Sequence, residues 1–247
     1  MNLRKFPIVL VIVVWGVSTS SLFPDIRTDY SEDVNVLTDS STSETFLQSS
    51  PVASTAADPD DIYWDNTIAP SIPGVNGSVA SFTIYNGNLI IGGIFTVAGN
   101  IITSNIVSWD GTTWTNLGTG TDAEVTALTV YDGKLIAGGI FSTAGGVSAN
   151  NIASWNATSS SVLGTGTDGE VTALTVYNSK LIVGGLFTTT GGISVSNIAS
   201  WDGTTWSTLG TGTDLKVNAL TVYDTKLIAG GNFTSAGGVS ADNIAFW

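Results

Sequence analysis

VTALTVYDGKLIAGGIFSTAGGVSANNIASW, residues 125–155, is the stretch from which the fold can be read. Val125–Tyr131 is short, apolar and β-branched, as a buried strand requires. Asp132-Gly133 is a strong hairpin turn, because the tight two-residue turn needs positive φ and glycine adopts it without penalty. Lys134–Ser142 (KLIAGGIFS) returns as a second strand, and its Gly-Gly marks a bulge or the close approach of a neighbouring backbone. The loop TAGGVSAN leads to a third strand, Asn151–Trp155. A further turn leads to a fourth, centred on Val162-Leu163.

Outward from this stretch the chain repeats itself every 46 positions. Val79, Val125, Val171 and Val217 align, as do Tyr85, Tyr131, Tyr177 and Tyr223. Trp109, Trp155, Trp201 and Trp247 fall in register, with the glycine pairs that begin at Gly92, Gly138, Gly184 and Gly230. Between 125–155 and 217–247, 7 of 31 positions differ and 24 are identical. Identity reaches into the loops, where a core does not demand it, so the units arose by recent duplication. In the first and third units the last turn reads Trp109-Asp110-Gly111-Thr112-Thr113-Trp114 and Trp201-Asp202-Gly203-Thr204-Thr205-Trp206. Two tryptophans flanking such a turn can pack across the hairpin. The second unit has Asn156 for the Asp and Ser160 for the second Trp, so its outer hairpin is expected to be the weakest.

Four antiparallel strands in a unit of about 46 residues is the signature of a β-propeller blade. One blade leaves apolar faces that its neighbours must cover. The fold class is therefore all-β, a β-propeller of four-stranded antiparallel blades. A parallel β-solenoid is the alternative, but its coils are shorter and lack tight internal hairpins. The repeat domain is read as Ile62–Trp247. Ile62-Tyr63-Trp64-Asp65 resembles the junction of third and fourth strands, and the chain ends at the same junction. The expectation is four blades, closed by a fourth strand that the start lends to the end. Pro70 and Pro73 require that strand to be short or at an edge. The competing expectation is a fragment of a longer propeller.

The composition excludes several kinds of chemistry. The chain has 247 residues, with 20 acidic and 7 basic side chains and a net charge of −13. Such a surface repels phosphates and anionic lipid, so nucleic acid is not an expected partner. There is no Cys and no His. Disulfides, thiolate nucleophiles, zinc–thiolate sites and the usual general base are thereby removed.

Arg4 and Lys5, the apolar run Phe6–Val17 and the small residues that follow have the plan of a secretory signal peptide, residues 1–21. Twelve apolar residues fall short of the ~20 that span a bilayer. After cleavage no membrane insertion is expected, and the protein is placed outside the cell or on its surface. Residues 22–61 hold nine acids against Arg27 and few apolar side chains, and read as a disordered, Ser/Thr-rich linker.

The string LIAGGxFTxAGGVSAxNIAxWDGxxWxxLGxG resembles a repeat of large secreted bacterial proteins. It is similar to repeats of the fungal cortical cell-polarity marker family and, more distantly, to kelch-type propellers. The resemblance covers Ile62–Trp247 and implies an extracellular or cell-surface propeller used for binding or display. The turn around Asp110 also looks like the Asp-box of sialidases, one residue short. In that family the box is a structural turn. Arg4 and Arg27 are the only arginines, so the cluster that would hold a sialic acid carboxylate is missing.

Candidate site residues follow from the blade order. The loops between fourth strands and the next blade share a face with those between second and third strands. GTGTDAE (Gly118–Glu124), GTGTDGE (Gly164–Glu170) and GTGTDLK (Gly210–Lys216) place Asp122, Glu124, Asp168, Glu170 and Asp214 there, with Lys216 breaking the ring. Calcium is the cation such oxygens suit, and no other cofactor is expected. The competing reading is that each Asp caps its own turn. A glycosidase pair is disfavoured, since catalysis needs one asymmetric pair rather than a copied ring. Asn105, Asn151, Asn197 and Asn243 are expected to bond turn backbone, and the four repeated tyrosines to pack on hairpins. A sugar-binding role is the alternative for both sets. Asn76, Asn156 and Asn232 stand in glycosylation sequons. The expected function is a non-catalytic scaffold that binds or displays a glycan or protein. A carboxylate-based carbohydrate-active enzyme and a structural spacer are the alternatives.

Overall fold

The computed structural model describes residues 35–38, 45–48, 74–156 and 159–247. The chain divides into two units, Met1–Asp65 and Asn66–Trp247. In the first, β1 (Asn35–Thr38) pairs antiparallel with β2 (Thr45–Gln48). This pairing falls where the composition predicts an irregular linker. The β-branched and aromatic residues of NVLT and TFLQ, on either side of a Ser/Asp-rich stretch, are the local reason. The signal peptide, the rest of the linker and the strand expected at Ile62–Asp65 lie outside the described residues.

The second unit is a row of blades. Blade 1 consists of β3 (Ser78–Tyr85), β4 (Asn88–Ile94), the small pair β5 (Val97–Ala98) and β6 (Ile101–Ile102), β7 (Ile106–Trp109) and β8 (Trp114–Asn116). Blade 2 has β9 (Val125–Tyr131), β10 (Lys134–Gly139), β11 (Thr143–Ala144), β12 (Val147–Ser148), β13 (Ile152–Trp155) and β14 (Ser160–Val162). Blade 3 has β15 (Glu170–Tyr177), β16 (Lys180–Leu186), β17 (Thr189–Thr190), β18 (Ile193–Ser194), β19 (Ile198–Trp201) and β20 (Trp206–Thr208). Blade 4 has β21 (Val217–Tyr223), β22 (Lys226–Gly231), β23 (Ser235–Ala236), β24 (Val239–Ser240) and β25 (Ile244–Phe246). Blades 1 to 3 are four-stranded antiparallel sheets in the orders β3-β4-β7-β8, β9-β10-β13-β14 and β15-β16-β19-β20. Blade 4 shows the three strands β21-β22-β25 among the described residues. No helix occurs among them.

The stretch read as the loop TAGGVSAN is itself a hairpin, β11–β12, turning at Gly145 (φ 57°) and Gly146 (φ 86°). Each small hairpin is bridged to the loop that leads into its own blade: Val75 to Ala98, Thr121 to Ala144, Thr167 to Thr190 and Thr213 to Ala236. The two loop sets therefore meet on one face, as the blade order requires.

The cores lie between blades. Ile90 and Ile106 of blade 1 pack with Val125, Leu128 and Leu135 of blade 2. Ile136 and Ile152 of blade 2 pack with Val171, Leu181 and Val183 of blade 3. Ile182 and Ile198 of blade 3 pack with Val217 and Leu227 of blade 4. The Gly-Gly pair explains how neighbours come so close. A Cβ on Gly138 would lie 2.3 Å from Val171 Cγ1, and one on Gly139 would lie 2.0 Å from the Glu124 carbonyl oxygen. The ladder shifts register at this pair. The bulged residue is Thr126 of β9, opposite the glycine pair; the second glycine clears the Glu124 carbonyl, and the first is the slot for a valine side chain of the next blade, where the sequence suggested a backbone.

Candidate functional site

Asp122, Asp168 and Asp214 occupy equivalent positions, each before the first strand of its blade. Asp168 Oδ1 accepts from the amides of Thr188 and Thr189, both at 2.8 Å, and Oδ2 accepts from the Thr188 hydroxyl at 2.6 Å. Asp122 is held in the same way by Ser142 and Thr143, and Asp214 by Thr234 and Ser235. Each carboxylate ties its loop to the start of the small hairpin of its own blade. In the loop leading into blade 1 this position is Asn76, whose Oδ1 accepts from the amides of Thr96 (2.8 Å) and Val97 (3.0 Å). An amide does the same work, so the tie does not need the charge.

The hydrogen bonds favour the ionised form. The Thr234 hydroxyl and the Ser235 amide bring Asp214 down to about 2. For Asp122 and Asp168 burial pushes upward, and the donors from Ser142 and Thr143, or Thr188 and Thr189, outweigh it, so both end lowered. Glu170 forms a 2.6 Å ion pair with Lys216, joining blades 3 and 4. Glu124 is half-buried at the matching position of blade 2. Among the described residues no three carboxylates gather as a cation site.

The other repeated residues also act locally. Asn105, Asn151 and Asn197 donate from Nδ2 to the carbonyls of Thr121, Thr167 and Thr213 at 2.8–2.9 Å. Tyr85 and Tyr177 reach across a joint and donate to the carbonyls of Trp155 and Trp247, each at 3.4 Å. Asp110 accepts from the Thr113 hydroxyl and amide and from Thr112, which hold it well below the usual carboxylate range. The Asp-box-like turn is thus a turn built around its own carboxylate.

Asymmetry enters where the repeat fails. Trp109 and Trp114 pack with ring centroids 4.7 Å apart, and Trp201 and Trp206 at 5.2 Å. Trp206 is buried, lies against the Gly191 turn, and donates from Nε1 to the Leu163 carbonyl of blade 2 at 3.1 Å. It fills the outer end of the joint between blades 2 and 3. In blade 2 its counterpart is Ser160, whose hydroxyl bonds the Ala144 carbonyl. Trp155 is buried in the joint between blades 1 and 2, but no second indole stands at position 160 beside it, and a cleft of about 400 Å³ opens there. The corresponding hollow between blades 2 and 3 is about 100 Å³. Trp155 lies along the cleft, only 3% exposed, and its Nε1 finds no acceptor among the described residues. Trp114 Nε1 is in the same condition, away from the cleft.

Tyr85, Asn86, Asn88, Ser108 and Asn116 line the blade 1 side of the cleft, and Trp155, Ser159 and Ser160 the blade 2 side. Among the described residues the lining carries no Asp, Glu, Lys or Arg. None of the five carboxylates singled out in the sequence belongs to it. The cleft was signalled in the sequence by the Trp-to-Ser departure at 160, which shows only when the units are aligned.

A family model described as a β-propeller domain of unknown function, DUF5122, matches residues 132–153. Among curated proteins nothing matches. Two solved structures of computationally designed proteins are similar. Ika4 is 17% identical, with a TM-score of 0.49, over 72% of this chain and 94% of its own. Ika8 is 18% identical, with a TM-score of 0.47, over 72% of this chain and 48% of its own.

Proposed function

We propose that this is a non-catalytic, extracellular repeat scaffold that binds a neutral saccharide in the cleft between blades 1 and 2. The observation that carries the reading is the replacement of a space-filling indole by Ser160, which leaves a cleft lined by aromatic rings, amides and hydroxyls. A pyranose has an apolar face that suits Tyr85 or Trp155 and hydroxyls that suit Asn86, Asn88 and Asn116. The uncharged lining favours a neutral sugar over an acidic one. It also offers no carboxylate pair for glycoside cleavage. The extracellular setting rests on the N-terminal signal and on the resemblance to secreted repeat proteins. A fourth strand for blade 4, supplied by Ile62–Asp65 of this chain or of a neighbouring copy, belongs to the same proposal.

Ser160→Trp tests it. The new indole should occupy the cleft as Trp206 occupies the next joint, and stability should hold or rise. Titration with glucose, galactose, N-acetylglucosamine and their short oligomers, followed by calorimetry, should show binding to the natural chain and at least a tenfold loss in the variant. Equal binding by both proteins, or by neither, rejects the cleft as a saccharide site.

A further inference from the structure

The three joints within the chain repeat one set of contacts. A valine at the start of each blade enters the slot over a glycine of the preceding one: Val125 over Gly92, Val171 over Gly138, and Val217 over Gly184. All three valines are fully buried. Ile106, Ile152 and Ile198, on the third strands of blades 1 to 3, are sealed by the following blade and are likewise 0% exposed. The Thr126 and Thr172 hydroxyls donate across the joints to the Val171 and Val217 carbonyls.

The ends of the row carry the same parts without partners. Val79, the matching valine of blade 1, is 48% exposed, and Phe82 beside it is also exposed. Gly230, the matching slot of blade 4, has among the described residues only the Asn243 carbonyl oxygen near it, at 3.9 Å from a would-be Cβ. Ile244, the matching isoleucine, is 65% exposed, and Tyr223 is 75% exposed. The knob is on one end and the hole on the other, and they do not meet within the chain.

We propose that the free faces of blades 1 and 4 are the two halves of a fourth joint, formed head to tail between two copies of this chain. What covers each face is known from the three joints already made, since the residue types and their order are the same. Val79 of one copy enters over Gly230 of the other. Tyr223 then donates to the Gly87 and Trp109 carbonyls of the second copy, as Tyr85 does to Gly133 and Trp155. A head-to-tail contact yields a closed ring when its rotation closes and a filament when it does not. Two copies bring eight blades, within the usual range of propellers.

Light scattering on the full chain tests the joint. The natural chain is expected at twice the single-chain mass. Gly230→Val closes the slot at a position with room for a side chain, and Val79→Asp charges the knob at a position already exposed. Each variant alone is expected at the single-chain mass, with an unchanged circular dichroism spectrum. Mixed in equal amounts, they retain one intact Val79–Gly230 joint between them and should return to twice that mass. A natural chain that stays at single-chain mass at every concentration overturns the proposal, and points to closure of blade 4 on blade 1 of the same chain or to capture of another protein. A mixture that fails to associate, or variants that pair as well as the natural chain, overturns it too.

Discussion

Thr225 sits at φ 61° in the turn Asp224-Thr225, where the second blade has Asp132-Gly133. A β-branched side chain in the left-handed region is strained by ~1–2 kcal/mol, partly offset by the entropy that glycine would lose on folding. Thr225→Gly should therefore stabilise the protein by roughly 0.5–1 kcal/mol. A raised urea midpoint with an unchanged slope is the expected result, and an unchanged midpoint would show that the turn absorbs the strain elsewhere. Position by position, part of this was legible: the repeated asparagines before third strands were expected to bond turn backbone, and Asn105, Asn151 and Asn197 do, while the φ of 61–64° at these three and Asn243 was not foreseen. Ser160 was legible only as a weak hairpin. The space its absent indole leaves is bounded by Tyr85, Asn88 and Asn116 of the preceding blade. Nothing local to residue 160 reports that neighbour.

The strands follow from β-branching and the repeat, and the turn of blade 2 from Asp132-Gly133, although blades 3 and 4 make the same turn at Asn178-Ser179 and Asp224-Thr225 without glycine. The small hairpins do not follow, because two-residue strands are too short to show a period. Their anchorage explains what became of the carboxylates. A repeated acid on a shared face looks like a ligand ring in the sequence, whereas each Asp is bound by two amides and a hydroxyl of its own blade. This gives a pH dependence with a definite sign. Asp122, Asp168 and Asp214 titrate lower in the folded chain than the ordinary 3.8, Asp214 at about 2. As pH falls, the unfolded chain takes up these protons first. Their contribution is complete above the unfolded value and is lost as pH drops from about 4 toward 2. The melting temperature should thus be level above about pH 5 and fall below pH 4. Replacing all three by Asn, the residue that position 76 already carries before blade 1, should preserve the fold and make the acid limb shallower. A limb of unchanged steepness would assign acid sensitivity to other groups.

At the scale of the molecule, stability in a repeat array is close to a sum of unit terms and nearest-neighbour interfaces. The sequence displayed the units plainly, by a 46-residue register, but the interface only as a pair of glycines whose use was ambiguous. The structure resolves the pair into two functions, clearance for the Glu124 carbonyl at Gly139, opposite the bulged Thr126, and a valine slot at Gly138. One methyl group separates them experimentally. Gly138→Ala sets a Cβ 2.3 Å from Val171 Cγ1, a contact that must push blade 3 away from blade 2. Overpacking of this kind costs about 1–3 kcal/mol, and here it falls on a joint that holds one half of the row to the other. Made in the Val79→Asp chain, which is expected at single-chain mass, Gly230→Ala is the identical chemical change at an empty slot and should leave the melting temperature where it was. A loss at 138 with none at 230 would show that the glycine is kept for the neighbouring blade. Equal losses at both would instead assign its value to the backbone of its own strand.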